Sequence, residues 1–194
     1  MELKILHFYP DLMSLYGSYA NVSILKRTLE EMGNTVTVER VELGGDADLT
    51  HADFVYMGAG TERAQKAALL YFSKLGDAVK AAADAGVTML FAGNSMELLG
   101  KTITDDAGKV YEGLGLADFT AVQNKKRFVE DVYGHTDLYR TQWWASSTAV
   151  RSLPAWRRRC WLPWTWATAT RDPAARRDIT RAAYSPVSSP APFW

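Results

Sequence analysis

The amino-acid sequence predicts an α/β domain built on a doubly wound, mostly parallel sheet. Short apolar runs alternate with amphipathic stretches through the first hundred residues, and glycine-rich turns follow two of those runs. Alternation of strand and helix makes a parallel sheet with right-handed crossovers the natural architecture. A chain of 194 residues, 47% of them apolar, supplies one such core and would crowd two.

Residues 3–9 cluster apolar side chains as a buried strand does, and Pro10-Asp11 ends the run. A helix follows a loop: Asn21 is expected to cap it, Val22, Leu25, Leu29 and Met32 recur on one face, and Gly33 stands where a left-handed residue closes a helix. Residues 35–41 read as the second strand, 54–57 as the third and 87–91 as the fourth. An alanine-rich helical stretch over residues 62–85 joins the last two. Residues 96–100 read as a short helix and Asp105-Asp106-Ala107-Gly108 as a hairpin tip. Residues 118–132 read as one or two strands around Lys125-Lys126-Arg127, a basic cluster read as a solvated turn in preference to a substrate contact.

Ligands of open parallel sheets sit beyond the carboxyl ends of the strands. Gly58-Ala59-Gly60 follows the third strand and Ala92-Gly93-Asn94-Ser95 the fourth. Backbone amides of such loops can hold an oxyanion or a phosphate, although glycine also serves simply to allow a tight turn, which is the plainer reading of the residues alone.

No run of about 18 apolar residues is present, and Met1-Glu2-Leu3-Lys4-Ile5-Leu6 enters the strand pattern without the features of a secretory leader. The expected location is the cytoplasm, and the single cysteine, Cys160, excludes an internal disulfide or a cysteine-based zinc motif. The zero net charge conceals two unlike parts. Residues 1–140 hold 14 Lys+Arg against 20 Asp+Glu, and residues 141–194 hold 8 against 2. All 14 glycines precede Tyr139, all 7 tryptophans follow Arg140, and 6 of the 7 prolines lie in the second part. A step of this size marks a change in what is encoded.

Residues 8–22, Phe-Tyr-Pro-Asp-Leu-Met-Ser-Leu-Tyr-Gly-Ser-Tyr-Ala-Asn-Val, resemble the opening motif of the CobB/CobQ-like class I glutamine amidotransferases, and most closely the glutaminase subunits of lipid II isoglutaminyl synthases. The resemblance continues through Gly58-Ala59-Gly60-Thr61-Glu62-Arg63-Ala64-Gln65, Leu98-Leu99-Gly100 and Glu112-Gly113-Leu114-Gly115-Leu116, covering nearly all of residues 3–135. It implies a flavodoxin-like fold and hydrolysis of L-glutamine. It also implies delivery of ammonia to an ATP-dependent Mur-ligase-like partner that amidates a peptidoglycan precursor; other relatives amidate corrinoids. It implies no cofactor and no metal. Gly58, Ala59, Gly60 and Asn94 become the expected substrate and oxyanion loop, and Arg127 resembles a basic position that contacts substrate.

The chemistry of that family requires a cysteine on the sharp turn after the fourth strand. Its thiolate attacks the carboxamide, neighbouring amides hold the oxyanion, and a histidine moves the proton. Alignment on Leu98-Leu99-Gly100 puts the nucleophile position at Gly93, which has no side chain. Ser95 is the alternative hydroxyl, but two residues beyond the bend it reads as a helix cap. His7 falls in the first strand, His51 in a polar turn and His135 beside Gly134 in an expected loop; none has the setting of a catalytic base. The expectation is therefore a glutaminase-like protein without glutaminase activity.

From residue 141 the resemblance stops, and the Trp, Arg, Pro and Ala bias is what a GC-rich gene yields out of frame. Regrouped one nucleotide earlier, Gln142-Trp143-Trp144-Ala145-Ser146-Ser147-Thr148 can give Val-Val-Gly-Phe-Ile-Asn, and the final residues Leu-Thr-Gly-Pro-Ile-Leu, with threonine where catalytic relatives carry histidine. Residues 1–140 are thus expected to be an incomplete amidotransferase-like domain, truncated in its C-terminal part, and 141–194 a disordered, frameshift-derived tail, with a non-functional truncated product as the alternative reading. Trp156-Arg157-Arg158-Arg159-Cys160-Trp161 alone would suggest nucleic acid or a membrane surface. Its proline-rich, aperiodic surroundings favour disorder, and neither partner is expected.

Overall fold

A computed structural model describes residues 1–135 and 142–152, with side chains placed for residues 1–123. Strands β1 (Glu2–Phe8), β2 (Thr35–Val41), β3 (Phe54–Met57) and β4 (Thr88–Phe91) form an all-parallel sheet in the order β2-β1-β3-β4. Helix α1 (Ala20–Glu31) connects β1 to β2, and α2 (Glu62–Phe72) and α3 (Gly76–Asp84) connect β3 to β4. The two faces of the sheet bury different side chains, as strand alternation requires. Leu3, Ile5, Phe54 and Tyr56 pack with Val22, Leu25 and Leu29 of α1. Leu6, Phe8, Val55 and Met57 pack with Ala68, Phe72 and Val79 of α2 and α3. Phe72 anchors the second layer, edge-on to Phe8 and Tyr9 at centroid distances of 5.3 and 6.4 Å and tilted against Phe91 at 5.7 Å.

The chain steps from β1 to β2 in one direction with its helix on one face, then from β3 to β4 in the other direction with its helices on the opposite face. A constant crossover hand turns the reversal of direction into a reversal of face, which is the doubly wound plan. The switch point lies between β1 and β3, so the crevice at their carboxyl ends is where a ligand site belongs.

Strands β2 and β3 match the residues expected from the sequence, and Gly33 takes its left-handed role with φ +88°. Three local expectations change. Helix α1 begins one residue before Asn21, with Tyr19 as the preceding residue in a helical conformation and no side-chain cap. Asn21 instead donates from Nδ2 to the Tyr56 hydroxyl at 2.7 Å. The stretch 62–85 is interrupted by a 3₁₀ turn at Ser73–Leu75. A single helix of that length would run about 36 Å, whereas a four-residue strand spans about 13 Å; two shorter pieces each lay an apolar face on the sheet. The segment after β4 is a 3₁₀ helix, Gly93–Leu99, that starts earlier than expected.

A second sheet has the order β6-β5-β7-β8, from β5 (Thr102–Thr104), β6 (Val110–Glu112), β7 (Thr120–His135) and β8 (Gln142–Ser152). Strands β5 and β6 form the hairpin expected around residues 105–108. Lys125-Lys126-Arg127 make no turn: they lie inside β7, where its antiparallel pairing with β8 shifts register between Gln123 and Phe128. Residues 142–152 form β8, where tryptophan, threonine and valine suit a pleated strand. Residues 153–194, including Cys160, lie outside the described residues. Among the described residues, no helix is long and apolar enough to cross a membrane.

Candidate functional site

Three loops meet at the carboxyl ends of β1, β3 and β4. The segment after β1 crosses over the glycine loop that follows β3. Leu15 N–H donates to Ala59 O at 2.8 Å, and Ala59 N–H donates to Ser18 Oγ at 3.2 Å. Tyr56, near the top of β3, donates its hydroxyl proton to Ser18 O at 2.7 Å and accepts from Asn21, which ties the second half of the opening motif to β3. The approach is close enough to exclude side chains. A Cβ on Gly58 would lie 2.2 Å from Met13 O, and one on Gly60 would lie 2.4 Å from Met13 Sδ.

At the end of β4 the backbone turns within two residues from extended Ala92 (φ −96°, ψ 137°) to Gly93 at φ +61°, where the 3₁₀ helix begins. The backbone thus makes a sharp strand-to-helix turn at Gly93. Gly93 meets both demands of the spot: its conformation disfavours an L side chain, and a Cβ there would lie 2.9 Å from the Ala59 Cβ. Gly93 thus presents no side chain at this turn, and the Ala59 methyl lies against the place a Cβ would take.

The next residue bridges the two loops. Asn94 Oδ1 accepts from Gly60 N–H at 2.9 Å and its Nδ2 donates to Gly60 O at 2.8 Å, a two-bond ring between one carboxamide and one residue's peptide groups. Gln65, 1% exposed, reaches up from α2 and donates from Nε2 to Asn94 O and to Glu97 Oε2, each at 2.7 Å. Both backbone polar groups of Ala59 and both of Gly60 thus have partners within the protein. The loop proposed to receive an oxyanion is held in place through its own amides.

Ser95 is fully buried, with Oγ 2.8 Å from Ala92 O and 3.0 Å from Met57 O. Its single proton goes to these carbonyls, and the hydroxyl fastens the start of the 3₁₀ helix to β3. His7 lies in β1 with β3 between it and β4, edge-on to Tyr56 at 5.3 Å. His51 precedes β3, at the opposite end of that strand from the crevice, and is exposed, with its ring Nδ1 paired to Asp48 Oδ2. Neither completes a catalytic pair with Ser95. Arg127 lies in β7 and His135 ends it; their side chains fall outside the described ones.

Sequence reasoning located the bend and the glycine loop but gave no role to Met13, Ser18, Tyr56, Gln65 or Glu97. Ser18 and Gln65 stand within the quoted motifs, yet their partners are 41 and 29 positions away, and no periodicity carries such pairings.

An open parallel sheet whose fourth strand bends abruptly into a short helix against a glycine loop defines an α/β domain of the class that carries its chemistry on a strand-to-helix elbow. The chain belongs to the CobB/CobQ-like glutamine amidotransferase domain family, which matches residues 4–151. It is similar to the glutamine-hydrolysing lipid II isoglutaminyl synthase subunit GatD of Streptococcus pneumoniae (strain ATCC BAA-255 / R6), 32% identical over 145 residues that cover 70% of this chain and 53% of the relative. It is also similar to the subunit of the same description from Staphylococcus aureus (strain N315), 27% identical over 140 residues, 72% of this chain and 58% of the relative. The chain spans about half the length of the curated relatives it matches.

Proposed function

We propose that this chain acts as a glutaminase-like subunit that docks an ATP-dependent Mur-ligase-like partner in peptidoglycan-precursor amidation without hydrolysing L-glutamine itself. The observation that carries the silent half of this reading is the β4 bend, where Gly93 supplies no thiol and the Ala59 methyl lies within 2.9 Å of the place a Cβ would take. Amide hydrolysis at neutral pH by this route needs an activated nucleophile beside a base. Ser95 does not supply one, with its hydroxyl buried between two carbonyls. The pathway half is supported by the relatives, whose descriptions name glutamine hydrolysis and a subunit of lipid II isoglutaminyl synthase. Cytoplasmic residence, where the nucleotide-dependent partner would work, belongs to the same proposal.

Two measurements test it. A tagged chain expressed in its own host should retain a Mur-ligase-like protein on purification, and the pair supplied with glutamine and ATP should release no glutamate. Glutamate release above the partner-alone background ends the silent reading, and failure to retain any ligase ends the docking reading. Ser95→Ala should leave glutamate release at background and destabilise the fold by about 1–2 kcal/mol in urea titration, because a buried hydrogen bond to two carbonyls is lost.

A further inference from the structure

We propose that the crevice at the β4 bend is closed from within, the Asn94 carboxamide occupying the peptide pair of Gly60 and the Ala59 methyl occupying the space over Gly93. This deepens the reading of a silent amidotransferase centre and rests on it. A primary carboxamide presents one acceptor and a donor pair on a single planar group. Asn94 uses both kinds at once, accepting from Gly60 N–H at 2.9 Å and donating to Gly60 O at 2.8 Å. The terminal group of glutamine is the same functional group, so a glutamine side chain seeking this loop would have to displace a chemically equivalent occupant that is already covalently tethered. A tethered group loses no translational freedom on binding and competes at an effective concentration on the order of millimolar or above.

The occupant is itself held. Gln65 donates to the Asn94 carbonyl and to Glu97, both at 2.7 Å, which fixes the backbone that projects the carboxamide. Met13 Sδ packs against Gly60 on the side where a side chain would stand, 2.4 Å from an ideal Cβ there. The Ala59 methyl closes the neighbouring space independently, through a 2.9 Å approach to an ideal Cβ at position 93. Two separate contacts fill two separate places, so restoring a thiol at Gly93 does not by itself reopen the crevice.

The test uses the full chain. Amide exchange followed by NMR should find the Gly60 N–H protected, and Asn94→Ala should speed its exchange about tenfold or more, the loss of one net hydrogen bond. Alkylation by a glutamine-derived chloromethyl ketone, normalised to iodoacetamide at the same cysteine, should be slow in Gly93→Cys. It should rise in Ala59→Gly/Gly93→Cys, and rise about tenfold or more over Gly93→Cys when Asn94→Gly is added. A Gly60 amide that exchanges without protection in the unsubstituted chain overturns the proposal, as does equal normalised labelling of Gly93→Cys and the triple variant. If Gly93→Cys does not fold, the exchange of Gly60 decides alone. Unprotected Gly60 without glutamate release removes the internal occupant and leaves the silent subunit standing. Glutamate release with Gly60 protected removes the silent reading.

Discussion

The imidazole of His7 is buried in β1, edge-on to Tyr56, and its Nε2 has no hydrogen-bond partner among the described residues. Burial first, and then the Arg40 guanidinium, bring its pKa down to about 4, with Asp11 opposing. A folded pKa below the unfolded value of about 6.5 means that the unfolded chain takes up the proton first as pH falls. The stability His7 permits is therefore complete above pH 6.5 and is lost between 6.5 and 4, by up to about 3 kcal/mol at 1.36 kcal/mol per unit. Urea midpoints measured from pH 7 to 4 should fall across that window, and His7→Leu should flatten the fall; an unchanged slope in the variant would assign the loss elsewhere. The same residue shows what the sequence disclosed. A histidine in a strand was legible as a core or edge residue, whereas its unmet Nε2 and its tyrosine neighbour arise from a pairing 49 positions away, beyond any local pattern. The turn at Gly93 was legible for the opposite reason, since adjacent residues encode it, the end of an apolar run against Gly-Asn-Ser. Its place as a nucleophile position came instead from the resemblance aligned on Leu98-Leu99-Gly100.

Elements repeat that division. Strands β2 and β3 were readable to the residue because each is a short apolar or alternating run bounded by turn residues. The break at Ser73–Leu75 was not, since nothing between Phe72 and Gly76 forbids a helix and the interruption answers to the short sheet beneath. The β5–β6 hairpin was readable from Asp105-Asp106-Ala107-Gly108, but its fastening was not. Asp105, buried, accepts from the N–H groups of Ala107 and Lys109 within the turn at 3.1 and 2.9 Å. It also accepts from Lys66 Nζ of α2 at 2.9 Å and the Tyr111 hydroxyl at 3.3 Å. The bond from Lys66 leads the causes that hold its carboxyl down to about 2, so the stability it gives is present above about pH 3.8 and is lost as pH falls through 2. One carboxylate thus shapes the turn and pins the second sheet to the first. Asp105→Ala should lower the melting temperature more than Lys66→Ala, because only the former also strips acceptors from two turn amides. It should also speed exchange at Ala107 and Lys109; equal losses in the two variants would reduce Asp105 to an ion-pair partner.

For the whole molecule, the compositional step at residue 141 divides a chain whose family match nevertheless runs to residue 151 and whose β8 pairs with β7. We propose that residues 141–194 are read out of frame, and the genetic code offers an internal check. Ala, Cys, Gly, Pro, Arg, Ser, Thr and Trp are the residues whose codons carry G or C in the middle. They make up 51 of residues 1–140 but 44 of the 54 in 141–194. A GC-rich gene concentrates G and C at the third position, and reading it one nucleotide late turns that third position into the middle one. Tryptophan, encoded only by TGG, leaves part of the regrouped peptide without choice. Trp143 before Trp144 yields valine, Trp164 before Thr165 aspartate, and Trp166 before Ala167 glycine. The coding DNA across codons 135–145 should therefore be one nucleotide short of an uninterrupted frame. Downstream of that point the GC maximum should move from the third codon position to the second. A maximum that stays at the third position through codon 194 would make the tryptophan-rich segment a genuine product of the gene, and β8 a native strand in its own right.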